Sequence, residues 1–136
     1  MKKLILISFI AVLGFGLNSC SKYEEGPSLS LRTKKARLVN EWVVQSYTVG
    51  GVDQTSMLPT DYSLNIKDDD TYELTSNGQK EIGTWEFFES KEKLKLTPEG
   101  TVGTSNIYII LMLKNDDLKY KADIVGSETI YTYVSK

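Results

Sequence analysis

Few side chains in this chain are equipped for chemistry. Among its 136 residues there is no histidine and one cysteine, which removes most zinc, dithiol and triad chemistry. A catalytic base would have to be a carboxylate or a lysine, and none stands on an apolar strand face where burial would shift its pKa. The chain therefore reads as a non-enzyme that calls for no cofactor. The densest carboxylate run is Asp68-Asp69-Asp70. It fails as an EF-hand loop, because the sixth and twelfth positions require glycine and glutamate but hold Glu73 and Gln79. That run and Asp116-Asp117 read as solvated turns, and they would hold calcium only by meeting at one end of the fold. The aromatic residues are more informative. Trp42, Tyr62, Tyr72, Trp85 and Phe87 fall on strand phases that face inward. They would either line a pocket for an apolar or ring-bearing ligand or fill the interior. Tyr131 and Tyr133, next to Tyr108, are expected on the outer face as a half-exposed stripe.

The remaining reactive residue is Cys20, and its setting is specific. Met1-Lys2-Lys3 is a short cationic start, and Leu4 to Leu17 is apolar except for Ser8, Gly14 and Gly16. About 20 apolar residues are needed to span a bilayer, so this run has the length of a secretory segment that is removed. It ends Leu17-Asn18-Ser19-Cys20, which resembles the lipobox of bacterial lipoproteins. The resemblance implies cleavage before Cys20, a diacylglycerol on its sulfur and an acyl chain such as palmitate on its new amine. Each buried methylene contributes about 0.8 kcal/mol, so two or more chains anchor a protein stably. Beyond the anchor, Lys22, Glu24 and Glu25 resemble the acidic export signal of Bacteroidetes-type lipoproteins. This implies the outer membrane, with the cell surface favoured over the periplasmic face. The acidic pair would otherwise serve to keep a linker soluble.

Removing residues 1–19 takes Lys2 and Lys3 from the 16 basic groups and none of the 18 acids, leaving 14 against 18, a net charge of −4. A mildly acidic chain has no clustered cations with which to track phosphates, so nucleic acid is not an expected partner. Residues 20–33 read as an acylated, flexible tether broken by Gly26-Pro27-Ser28. A short helix is expected through Lys34-Lys35-Ala36-Arg37, capping a domain that runs from residue 34 to 136.

The elements that must position the aromatics are strands. Two-residue alternation takes over at Glu41–Val49 and recurs at Asp61–Lys67, Thr71–Thr75, Glu81–Glu89, Lys93–Thr97 and Leu118–Ile124. Asn106–Lys114 is apolar on both faces, as in a strand covered on both sides, and Glu128–Val134 forms the last strand. In the first run Trp42, Val44 and Ser46 share one face. Between the first two, Val52–Thr60 reads as an Ω-type loop. Asn77-Gly78 is a strong hairpin signal, since both residues tolerate positive φ. No connection is long enough for a crossover helix, so neighbours are antiparallel. The expected fold is all-β, a small up-and-down antiparallel barrel of about eight strands with a short N-terminal helix. A two-sheet sandwich is the competing layout.

Leu38-Val39-Asn40-Glu41-Trp42 resembles the opening of the lipocalin-like domain found in small lipoproteins of Bacteroidetes-type bacteria, with Asn40 where glycine is usual. Gly83-Thr84-Trp85-Glu86-Phe87, followed by Lys93-Leu94-Lys95-Leu96, is similar to that family's middle signature. The resemblance covers roughly residues 34 to 136 and implies a lipocalin-like barrel. Two functions fit: a membrane-anchored barrel that binds a small hydrophobic or ring-bearing ligand, or a packed module that joins an envelope protein complex.

Overall fold

The computed structural model describes residues 23–24, 31–100, 103–122 and 126–136. A five-residue helix, α1 (Lys34–Leu38), opens the domain. Its N-cap is Thr33, whose hydroxyl accepts the Ala36 amide at 3.1 Å, the role for which a β-hydroxyl is favoured there. Nine strands follow: β1 (Asn40–Val49), β2 (Val52–Asp53), β3 (Ser63–Ile66), β4 (Thr71–Ser76), β5 (Gln79–Phe88), β6 (Lys93–Pro98), β7 (Asn106–Leu113), β8 (Asp117–Ala122) and β9 (Thr129–Ser135). β2 is a two-residue flap on β1, inside the segment the sequence reads as a loop. The rest of that segment carries a 3₁₀ turn at Thr55–Met57.

The other eight strands pair with their neighbours in chain order, and β1 also pairs with β9. That last pairing decides between the two layouts. The sheet closes on itself as an eight-stranded antiparallel barrel, leaving the two-residue β2 as the flap on an otherwise edgeless sheet. The architecture is that of a small lipocalin-like barrel. At Asn77-Gly78 the backbone has φ of 53° and 71°, the paired left-handed conformation of a two-residue hairpin turn. The Asp61 carboxylate accepts both amides of that turn, at 3.0 and 2.6 Å.

Register gives the barrel two unlike ends. Asn40 lies opposite Ile66 and Val49 opposite Thr129, so β1 starts at one end and finishes at the other. The first end collects α1, the β3–β4 turn, the β5–β6 turn and the β7–β8 turn. The second collects β2, the Asn77-Gly78 turn and the longer β6–β7 and β8–β9 connections. α1 stoppers the first end. Leu38 is fully buried, and its carbonyl accepts the Trp42 indole N–H at 2.9 Å. Trp85 is tied to the same end through its indole N–H, which donates to the Lys67 carbonyl at 2.8 Å. Buried indoles are retained where their single donor finds an acceptor, and both do so here. Leu64, Ile66, Leu94, Leu96, Ile110, Leu113 and Leu118 fill the space between them.

Gly83 has a steric reason to be glycine. A Cβ there would stand 2.2 Å from the Thr97 carbonyl oxygen, 2.7 Å from Tyr72 Cε1 and 2.9 Å from Pro98 Cα. The Tyr72 ring passes over the space a side chain would take, and its hydroxyl reaches the Glu81 carboxylate at 2.7 Å.

Candidate functional site

The five aromatics singled out in the sequence all turn inward, but they divide between the two ends. Trp42, Trp85 and Phe87 belong to the stoppered end, where Trp85 and Phe87 pack edge to face at 5.6 Å. Trp42 and Tyr72 are fully buried and Trp85 nearly so. Only Tyr62, which is half-buried, joins a second group at the open end.

That group consists of tyrosines. Tyr47, Tyr62, Tyr108, Tyr120, Tyr131 and Tyr133 form a connected set of rings centred on Tyr131. From Tyr131 the ring centroids lie 4.8 Å to Tyr47, 5.5 Å to Tyr120, and 6.2 Å to both Tyr62 and Tyr133. Tyr108 and Tyr120 approach to 4.3 Å. The expectation that Tyr108, Tyr131 and Tyr133 decorate the outer face is corrected here. Leu118 lies opposite Tyr133 and Tyr120 opposite Tyr131, so all three tyrosines share the inward phase of Leu118 and Tyr120. The physical reason is size. In β9 both phases carry apolar side chains, and the larger tyrosine rings bury more surface than Ile130 or Val134 would.

Register faults complete the group. β1 bulges between Val44 and Ser46, and beyond the bulge Tyr47, not Ser46, lies opposite Tyr131. An extra residue on one strand reverses the side-chain phase after it. Simple alternation therefore misses Tyr47. Tyr120 lies on the apolar face of the alternating run Leu118–Ile124, opposite Tyr131, and that alternation is the signal that could have found it.

The hydroxyls are satisfied mostly by one another. Those of Tyr120 and Tyr133 lie 2.8 Å apart, and the Tyr62 ring stacks on that of Tyr131 beside them. Desolvation raises Tyr120 and Tyr133 well above the usual phenol value, with neighbouring phenols adding to it. Burial likewise raises Tyr62 and Tyr131, and pushes Tyr108 up to about 12. At neutral pH the group is a set of uncharged donors and acceptors on aromatic faces.

Above the group the barrel opens into a depression of about 370 Å³, lined by Tyr47, Tyr108, Tyr131, Ala122, Asn106 and Thr129 among others. Its volume suits a small ligand. Its lining offers ring faces, phenol hydroxyls and the Asn106 amide. A larger depression of about 440 Å³ lies on the outer wall beside Gly83. Its lining includes the Lys67–Glu73 ion pair, which is half-buried, and a ligand there would have to desolvate it further.

The acidic turns lie together at the stoppered end but are separately engaged. Asp69 accepts the Thr71 hydroxyl at 2.6 Å, Asp70 pairs with Lys35 at 2.6 Å, and Asp116 meets the Ser135 hydroxyl at 3.3 Å. Among the described residues no group of three or more His, Cys, Asp or Glu side chains converges as a metal site. Nor is any described helix long and apolar enough to cross a membrane. Cys20, Lys22 and Glu25 lie outside the described residues, while Glu24 is exposed. Compared with known proteins, the sequence matches no family model and no curated protein.

Proposed function

We propose that this chain is a lipid-anchored lipoprotein of the outer membrane whose lipocalin-like barrel holds a small ring-bearing ligand in its tyrosine-lined mouth. One observation carries the ligand reading: the depression above Tyr47, Tyr108 and Tyr131, into which neutral phenols and ring faces converge. Stacked and edge-on aromatic contacts are worth about 0.5–1.5 kcal/mol each beyond the area they bury. Three such rings around one ligand ring would together add about 1.5–4.5 kcal/mol to the gain from buried area. The lipid anchor is supported by the lipobox resemblance at Cys20. Lys22, Glu24 and Glu25 support outer-membrane placement on the cell surface.

Mass spectrometry of the purified full chain under native conditions tests the ligand. A small molecule that travels with the wild type and is lost from Tyr131→Ala supports the reading. A bare protein mass from wild type and variant alike supports the second reading, a packed interaction module of an envelope complex. That alternative has its own observation, the complete burial of Trp42 and Tyr72 in the interior. Protease shaving of intact cells tests the surface placement: the wild type should be lost and the Glu24→Ala, Glu25→Ala double variant protected.

A further inference from the structure

Tyr23 stands three residues beyond Cys20, in the stretch the sequence reads as tether, yet it is 5% exposed and belongs to the barrel's core cluster. Its hydroxyl donates to the Lys91 carbonyl at 2.6 Å. The Lys34 ammonium lies 3.9 Å from its ring centroid, within the range of a cation–π contact. Both partners belong to the stoppered end, Lys34 in α1 and Lys91 in the β5–β6 turn. That turn is unusual in its own right. Glu89, Ser90 and Lys91 have φ of 45°, 55° and 65°, three consecutive left-handed residues where side-chain-bearing residues normally visit that region singly. The phenol of Tyr23 clasps the last of the three.

We infer that Tyr23 is a latch that fixes which end of the barrel faces the bilayer. The stoppered end lies against the lipid headgroups, and the tyrosine mouth points away from the membrane. The inference rests on the reading of Cys20 as the acylated residue. Three extended residues cover about 10 Å, so a docked Tyr23 confines the anchor to that distance from the stoppered end. Strands mostly of six to ten residues, at about 3.3 Å each and tilted as barrel strands are, set the mouth roughly 20 Å further out. A free tether from residue 20 to 33 would instead reach about 45 Å and let either end touch the membrane. With the latch closed only one can. A ligand then enters from the aqueous side and not by sliding out of the bilayer.

The test uses the full acylated chain in phosphatidylcholine vesicles doped with a headgroup spin-labelled lipid. Acylated Cys20 has no free thiol, so a fluorophore can be placed singly on Asp68→Cys at the stoppered end or on Val52→Cys beside the mouth, both exposed positions. Quenching should be several-fold stronger at position 68 than at 52. Tyr23→Ala should bring the ratio towards one while circular dichroism stays that of the folded barrel. Should that variant lose the fold, a ten-residue Gly-Ser insertion between Cys20 and Tyr23 leaves every barrel contact intact and should abolish the bias by length alone. Equal quenching at both positions in the wild type, or a ratio that survives the insertion, overturns the latch. Failure of the anchor itself looks different: the chain would not float with the vesicles and neither position would be quenched.

Discussion

Replacing Gly83 by alanine tests the barrel's construction at its tightest point. The added methyl would meet two backbone atoms of β6, at 2.2 and 2.9 Å, and one ring carbon of Tyr72 at 2.7 Å. Contacts under 3.0 Å are essentially never found for real Cβ atoms, so the Thr97 carbonyl alone would have to retreat by 0.8 Å, the difference between 3.0 and 2.2 Å. A flexible side chain could yield that much, but Thr97 is held in the β5–β6 ladder opposite Thr84. Overpacking a well-filled site typically costs about 1–3 kcal/mol. The strand-interior gain of alanine over glycine returns about 0.5–1 kcal/mol. Because the obstruction is mainly backbone, the cost falls at the upper end, and the net loss is about 2–2.5 kcal/mol. For a domain of this size each kcal/mol shifts Tm by about 4–8 °C, so the fall should be about 10–20 °C.

A thermal melt of the chain from residue 21 onward measures it, with Gly78→Ala as comparison. Gly78 has φ of 71° and nothing within 4 Å of its would-be Cβ, so its loss is conformational alone, about 1 kcal/mol. Combining Gly83→Ala with Tyr72→Leu should relieve only the ring contact and recover a minor share of the loss. The steric reasoning is refuted if Gly83→Ala melts within about 3 °C of wild type. Full recovery in the double variant would show that the ring, and not the β6 backbone, is the obstacle.

Trp85→Ala should cost about 3–5 kcal/mol, because it empties a large site and leaves the Lys67 carbonyl without its indole donor; a melt that moves by only a degree or two would put Trp85 outside the core. Alkaline pH should weaken the barrel. Burial raises Tyr62, Tyr108, Tyr120, Tyr131 and Tyr133, so above the ordinary phenol pKa of about 10 the folded state binds more protons than the unfolded chain. Their contribution is complete below about pH 10 and is lost as pH rises through the folded values. Tyrosinate absorbance should therefore appear together with unfolding, and gradual ionisation of a still-folded barrel near pH 10 would contradict it. Cys20→Ala should abolish incorporation of labelled fatty acid, and equal labelling of the variant would end the lipoprotein reading.

Strand order and hairpins were legible in the sequence because they are written locally. Asn77-Gly78 sits between two alternating runs, and the run Asn106–Lys114 differs from β7 by one residue. Closure was legible only as an expectation, since the β1–β9 pairing joins residues some ninety positions apart and no local pattern encodes it. The two register faults, in β1 between Val44 and Ser46 and in β7 between Ile110 and Met112, are harder still. Nothing in Val44-Gln45-Ser46 announces a bulge, yet that bulge is what delivers Tyr47 to the mouth. Tyr23 was illegible for the same kind of reason: its acceptor, Lys91, is 68 residues away, and a single tyrosine in a polar stretch has no periodicity to read.

The division of the aromatics between the two ends bears most directly on function. Both tryptophans spend their one donor on a backbone carbonyl beside the stopper, at Leu38 and Lys67. Once that bond is made an indole has no donor left to offer a ligand. A phenol is different, because it both donates and accepts. A cluster of phenols, such as the one that holds the Tyr120–Tyr133 hydroxyl pair, can turn one hydroxyl toward a guest while the others remain partnered among themselves. A mouth built of tyrosines therefore avoids much of the desolvation cost that an empty polar pocket would carry. It stays satisfied when vacant and can adapt when filled, which the tryptophan-fastened end cannot do.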